Sequence, residues 1–458
     1  MRRSPVIWFA LLTAQAAPPA DWDRFRGPNG SGVSGSDRAP VQFGPGKNVV
    51  WKTPLPPGHS SPVFAGSRIF ATGLDDGRLT TLALDRATGG ILWRRAVERP
   101  RQESLHKLNH PASASPVSDG RDVWVFFPDV GLLGYSGAGE ERWRVPLGPF
   151  SNVYGMGASP VLANGNVILA CDQSRGSFIA AWNKATGALQ WKAARPEAVS
   201  GHSTPVVHRD WVIAPGSFRM DAYDASTGRL AWTAPGLPGE MKSVPVIDGN
   251  TIYIHGFNTP ENDPDRLLQI PEFAEVARKH DADKDGRIGK EETPTPHSKR
   301  YFVFFDLDEN GKLDQAEWNQ YARTMRSENA LLAFEIGGGL KWKFQRSIPQ
   351  LPSPLVYRGV IYMINEGGVL TTLDAGTGKL HRQARLRGEA DQYYSSPIAA
   401  AGKIYIASYT GTVSVLKAGP EQELLAANRF DEEIMATPAV VDGRLYVRTR
   451  SALYCLAE

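Results

Sequence analysis

The chain has 458 residues, 41% hydrophobic and 22% charged, with a formal net charge of +3 at pH 7. A balance so near neutral, without a Lys/Arg run or a basic-aromatic stripe, excludes nucleic acid as an expected partner. The 2 cysteines exclude a disulfide framework, whereas 46 glycines, 34 prolines and 12 tryptophans suit many short strands and tight turns.

Residues 1–16 read as an export signal: Met1-Arg2-Arg3 is a basic start, Val6 to Leu12 a short apolar run, and Ala14-Gln15-Ala16 a small-residue cleavage site. The run is too short to span a bilayer. No cysteine near the cleavage point could take a lipid, so a soluble periplasmic or secreted product is expected, with residues 17–47 as an N-terminal extension.

From residue 48 one unit recurs. A Ser/Thr-Pro-hydrophobic step, with valine in place of the hydroxyl residue before Pro245, returns at Pro62, Pro116, Pro160, Pro205, Pro245, Pro354, Pro397 and Pro438, with spacings of 54, 44, 45, 40, 109, 43 and 41 residues. A period near 43 is the length of a propeller blade. The expected fold is therefore all-β, an eight-bladed β-propeller of four-stranded antiparallel blades over 48–257 and 331–458, with a small α-helical insertion at 258–330 in blade five.

The first copy shows the strands. Pro62-Val63-Phe64 opens an inner strand, Arg68 to Ala71 returns, Leu79 to Leu84 alternates as a third, and Ile91-Leu92-Trp93 begins the fourth. Asp-Gly or Asn-Gly marks the first hairpin in four further copies, at 119–120, 164–165, 248–249 and 442–443. A tryptophan follows the second-turn glycine in five copies, as Trp93, Trp143, Trp191, Trp232 and Trp342, to fill the wedge against the neighbouring blade. Arg382 stands there in the sixth copy and Glu423 or Leu424 in the seventh. The eighth copy ends after its third strand, so Asn48-Val49-Val50-Trp51-Lys52 is expected to supply the fourth and close the ring. Cys171 and Cys455 fall in the third and eighth copies, too far apart to bridge, and are expected to be free and buried.

The stretches Ala83–Trp93, Ala181–Trp191 and Ala222–Trp232 resemble the tryptophan-docking repeats of the pyrroloquinoline quinone (PQQ) type β-propellers. Trp22 to Gly30 likewise resembles the mature N-terminus of exported bacterial members. The resemblance implies the fold over most of 48–458. For activity it implies two classes: quinone-dependent alcohol and sugar dehydrogenases, and non-catalytic propellers such as the lipoprotein of the outer-membrane β-barrel assembly machinery. The adjacent cysteine pair and the Cys-x-x-Cys-His segment carried by many of the dehydrogenases are missing from this sequence, and no aspartate matches their base by motif.

In an antiparallel blade the loop before strand one and the loop after strand two open at the same end. Residues three before each proline then form a ring: His59, Ser113, Gly157, His202, Lys242, Leu351, Tyr394 and Met435. His59, His202 and Lys242 can carry positive charge, which suits an anion or a polar ring system; with Tyr394 they are the candidate cofactor-binding residues. The alternative is that they bond neighbouring loops or waters in a solvated channel. His106 and His110, in the long loop before the second copy, are candidates to join this mouth.

The long interval carries two calcium-loop patterns. Oxygen ligands belong at positions 1, 3, 5 and 12, a glycine at 6 and a backbone carbonyl at 7. The first loop offers Asp281, Asp283, Asp285, Gly286, the Arg287 carbonyl and Glu292; the second offers Asp306, Asp308, Asn310, Gly311, the Lys312 carbonyl and Glu317, with Asp314 at position 9. Pro271 to His280 and Gln315 to Arg326 are expected as entering and exiting helices, the latter with Trp318, Tyr321, Ala322 and Met325 on one face. That face packs on the entering helix or is offered to a partner. The chain is thus read as an exported Ca2+-binding propeller that binds an unidentified small molecule or protein. The alternative is a PQQ-dependent dehydrogenase of alcohols or sugars.

Overall fold

The computed structural model of the protein describes residues 22–199, 201–388 and 390–458; the expected export signal at 1–16 lies outside the described residues. Eight four-stranded antiparallel sheets follow one another in chain order. Blade one is Val63–Ala65, Arg68–Asp75, Arg78–Asp85 and Ile91–Val97. Its inner strands are buried nearly throughout, because adjacent blades cover both faces, whereas the outer strand buries only Trp93 and Val97. The outer strands are mixed, with polar residues beside exposed apolar ones such as Leu92, Leu189 and Leu340.

Consecutive blades are tied near the axis through the residue before each repeat proline. The backbone N–H of Ser61 donates to Ser115 Oγ, Ser115 to Ser159 Oγ and Ser159 to Thr204 Oγ1, each at 2.9 Å. After a gap, Val244 donates to Ser353, Ser353 to Ser396, Ser396 to Thr437 and Thr437 back to Ser61, at 2.9–3.1 Å. The gap falls at the fifth copy, where Val244 has no hydroxyl to accept from Thr204.

Tryptophans tie the blades farther out. In blade one the Asp85 carboxylate accepts from the Thr88 N–H (2.8 Å) and hydroxyl (2.9 Å), holding a turn that puts Gly89 at φ 75°. A Cβ on Gly89, Gly139, Gly187, Gly228 or Gly378 would lie 2.5–2.8 Å from the ring of Trp51, Trp93, Trp143, Trp191 or Trp342, respectively. Each of these indoles donates to a carbonyl of the same turn, at 3.0–3.2 Å. Trp232 does not dock on a turn glycine in this way: a Cβ on Gly337 or Gly339 would meet nothing within 4 Å, the Trp232 Nε1 has no partner among the described residues, and the indole packs edge-on against Trp211. Arg382 occupies the equivalent place in blade six, opposite Thr372. In blade seven that place belongs to Ala426, opposite Val415, and not to Glu423 or Leu424. The turn there is longer than in the other copies, which shifts the register.

Val49–Pro54 pairs with Ala452–Leu456 and closes the ring as blade eight's fourth strand, carrying Trp51 into its dock on blade one. Both cysteines are free and buried. Residues 22–34 bind the inner strands at the axis: Phe64 N–H donates to Trp22 O and Ser118 N–H to Asp23 O, both at 2.8 Å, and Asn29 exchanges two hydrogen bonds with Val207. Blade five is split between Thr251–Gly256 and Ala330–Glu335, and the intervening lobe holds α1 (Phe273–His280), α2 (Pro296–Tyr301) and α3 (Gln315–Arg326).

The docking geometry separates two costs of adding a methyl group. Gly249→Ala, at φ 55° in open space, should lose only the left-handed backbone term, about 1–2 kcal/mol. Gly228→Ala carries the same term and must also displace Trp191, so urea unfolding should show about 3 kcal/mol or more. Equal losses would contradict tryptophan docking as a determinant of stability.

Candidate functional site

All eight ring positions, from His59 to Met435, line one axial cavity of about 240 Å³. Phe25 forms part of its floor, and His106, Asn109 and Tyr154 enter from the long loops before blades two and three. A second cavity of about 430 Å³ opens beside it between blades eight and one, where His59 and His110 meet Lys107, Arg448 and Arg450. The rings of His59 and His110 stand 5.1 Å apart at the boundary.

Two of the three groups expected to carry positive charge at the axial mouth do not carry it. Burial, then His110 and Arg448, lowers the pKa of His59 to about 3; burial and then Lys242 lowers that of His202 to about 3. Both imidazoles are neutral at physiological pH. Lys242 is an ammonium ion whose partner is the Glu240 carboxylate, and it lies 5.5 Å from the Tyr154 ring centre. Tyr394 stands edge-on to Tyr409 at 5.4 Å. Glu366, which no motif marks, is half-buried beside the ring, accepting from the Gln350 and Leu351 N–H groups at 2.6 and 2.9 Å; desolvation raises its pKa. The cavity at the axis is thus aromatic and neutral, with His202 Nε2 unpartnered among the described residues.

The inserted lobe lies at this same end. Phe304 packs on Tyr154 at 5.3 Å, and Tyr154 in turn packs on His202 at 5.6 Å. Ser151 donates to Glu309 at 2.8 Å, Arg175 of blade three pairs with Asp308 (3.0 Å) and Glu317 (3.4 Å), and Arg323 lies 4.0 Å over the Phe218 ring. Trp318, Tyr321 and Met325 are buried inside the lobe with Val276, Phe302 and Phe305, so this face is packed on the lobe's own core and not offered outward.

The two acidic loops are near copies of each other. Asp281 accepts from Gly286 N–H (2.9 Å) as Asp306 does from Gly311 (2.9 Å); Asp285 accepts from Arg287 (2.9 Å) as Asn310 does from Lys312 (2.8 Å). Glu292 and Glu317 each reach back to the start of their loop, accepting from Ala282 (2.9 Å) and Leu307 (2.8 Å). Gly286 and Gly311 take φ of 79° and 82°, and Ile288 pairs with Leu313 between the loops. Carboxylate oxygens of Asp281, Asp283 and Asp285, and of Asp306, Asp308 and Glu317, lie within 4.8 Å of one another. Asp314 caps α3, accepting from Glu317 N–H at 2.9 Å. One feature has no signature in the motif: the Lys312 side chain crosses to Asp283 (2.6 Å) and Asp285, holding the Asp283 carboxyl below its usual range.

Comparison with known proteins follows the fold. The family described as outer membrane protein assembly factor BamB matches residues 41–213, 175–268 and 306–458. No curated protein matches the chain by sequence. Among solved structures, BamB from Moraxella catarrhalis superposes with a TM-score of 0.60 at 12% identity, covering 90% of this chain and 97% of that one. A europium-containing methanol dehydrogenase superposes with a TM-score of 0.61 at 9% identity, covering 93% and 96%. The quinohemoprotein alcohol dehydrogenase from Comamonas testosteroni gives 0.59 at 12%, covering 96% and 81%. At these identities the structures share the fold alone. Among the described residues no helix is long and apolar enough to cross a membrane.

The neutral histidines predict a pH dependence. His59 and His202, with pKa about 3, and His110 and His255, with pKa about 4, stay unprotonated while the unfolded chain takes up protons below about 6.5. The unfolded state then binds more protons, so stability falls as pH drops from about 6.5 toward 4, by up to about 1.4 kcal/mol per pH unit per histidine. Urea unfolding near pH 7.5 and near pH 5 should show this loss, and His202→Asn should remove about one proton from the slope. An unchanged slope in the variant would contradict a neutral His202.

Proposed function

This chain belongs to the outer membrane protein assembly factor BamB family, and we propose that it is an exported propeller acting as a binding or scaffold protein, with calcium held by its inserted lobe. The observation that carries the calcium reading is the shared internal geometry of the two loops, in which the carboxylates of positions 1 and 5 or their equivalents already accept from the same backbone N–H groups. These are EF-hand loops in this reading. Asp281, Asp283, Asp285, Glu292 and the Arg287 carbonyl would hold one ion; Asp306, Asp308, Asn310, Glu317 and the Lys312 carbonyl would hold the other. Bound calcium supplies a compact dication that gathers carboxylates no side-chain cation can satisfy as fully. Lys312 and Arg175 occupy parts of the two carboxylate sets and must yield them.

Export supports a structural role for the ions. Extracellular modules bind calcium with Kd on the order of 10⁻⁴–10⁻³ M, so occupancy outside the cytoplasm is the resting state. The lobe, through Phe304 on Tyr154, then forms part of the roof of the axial cavity. The quinone reading fits the axial residues poorly. The only cysteines, Cys171 and Cys455, sit buried in separate blades, and Lys242 has already committed its charge to Glu240. Among the described residues lining the axial cavity Lys242 is the one lysine or arginine, and it is paired.

Calorimetric titration of chelator-treated protein should find two calcium sites and none in Asp281→Ala/Asp306→Ala. At tenfold over Kd each site should add about 1.4 kcal/mol to stability. No heat with calcium, or the same heat in the double variant, would overturn the reading. Incubation with PQQ and calcium should leave the protein without dye reduction on alcohols or sugars; turnover would establish the dehydrogenase instead.

A further inference from the structure

The cavity between blades eight and one holds a charge that no described residue balances. Arg448, 1% exposed, donates from Nη1 to Ser60 O (2.8 Å) and Ser60 Oγ (2.6 Å), and from Nη2 to Pro56 O (3.2 Å) and Thr72 O (2.7 Å). All four acceptors are neutral. Among the described residues Arg448 has no ion pair, and its Nε has no partner at all. Its pKa falls to about 10 through burial. Room for the guanidinium is built in, since a Cβ on Gly58 would come within 2.6 Å of Nη2.

The same cavity is lined by two more cations, Lys107 and Arg450, both exposed at the rim. Glu433 is its one lining carboxylate, and its hydroxyl partner is Tyr409. His110 accepts from the Ala112 N–H at Nδ1 (3.1 Å), so its neutral ring carries the proton on Nε2 as a donor. An uncompensated buried guanidinium is costly unless an anion meets its field. The side cavity is continuous in its lining with the axial one, through His59, Leu108, Asn109 and Met435. Beyond these residues the axial wall offers Phe25, Tyr154, Val244, Leu351 and Tyr394 to an apolar body, and its one lysine, Lys242, is paired with Glu240.

We propose that the mouth binds an amphiphilic organic carboxylate, its charged end between Lys107, Arg450 and the underlying Arg448, its apolar body reaching past Leu108 and Met435 into the axial cavity. The two compartments select together: the side cavity rejects an uncharged isostere, and the axial cavity rejects a small anion. This deepens the binding reading and is separable from the calcium reading, because Arg448 and Arg450 belong to blade eight whereas the lobe rests on blades three and four.

The test is calorimetric titration of the full chain, in calcium and in chelator, with 3-phenylpropanoate, its uncharged amide, and acetate. The acid should bind roughly tenfold or more tightly than either the amide or acetate, and high salt should weaken the acid alone. Lys107→Ala/Arg450→Ala, both at exposed positions, should cost the acid about tenfold and leave the amide unchanged. Arg448→Met should do the same, but it also removes hydrogen bonds between blades, so the rim variant decides. Equal binding of acid and amide, equal binding of acid and acetate, an unaltered acid affinity in the folded rim variant, or no binding of the acid would each overturn the proposal. Loss of calcium binding with the acid preference intact would defeat only the calcium reading.

Discussion

The hydrogen-bond relay around the axis is the constraint on which the rest of the structure hangs. A residue before proline is held extended, and its N–H points into a dry interface where it needs an acceptor. Serine or threonine at that step solves the problem twice, receiving from one neighbour through the hydroxyl while donating to the other through the backbone. Seven such bonds encircle the axis, each worth about 1 kcal/mol net, and the last returns from Thr437 to Ser61 across the chain ends. The eighth is missing where Val244 replaces the hydroxyl. There Ser203 donates instead to the Ser243 carbonyl at 2.6 Å, beside the blade that carries the lobe.

Because the relay fixes every first strand at one height, the residues two positions before it converge on the axis whatever their chemistry. That convergence explains why histidine, lysine, tyrosine and methionine share one cavity, and why their charges are suppressed. Burial among the surrounding loops keeps the His59 and His202 imidazoles neutral, and Lys242 pairs with Glu240. Among the described residues a guanidinium without a counter-ion remains in the side compartment, where Arg448 is held by carbonyls of blade one. The lobe adds a second layer, reaching the same cavity through Phe304 and Tyr154.

Much of this was legible in the sequence, for identifiable reasons. The relay writes itself as a proline every 43 or so residues, and tryptophan docking as a glycine followed by an indole, so blade number, closure by Val49–Pro54 and the split of blade five were all readable. The two acidic loops were readable by their spacing, and they fold as near copies of each other with carboxylate oxygens gathered together. What failed was environment. A ring of His59, His202 and Lys242 looks cationic until burial is known, although Glu240, two residues from Lys242 in an extended segment, was a usable signal. The longer turn of blade seven displaced the tryptophan-equivalent place to Ala426. Tyr154, Phe304 and Arg448 belong to no motif, and neither does the path of residues 22–34, whose partners lie up to hundreds of residues away.

The central claim is that the lobe and the cavity form one calcium-dependent unit at the same end of the propeller. Hydrogen–deuterium exchange of the full chain with and without calcium tests it directly. Calcium should slow exchange in the loops at 281–292 and 306–317 and also in the segment 150–157 that carries Tyr154. Protection confined to the loops, with 150–157 exchanging as before, would contradict the coupling of lobe to mouth.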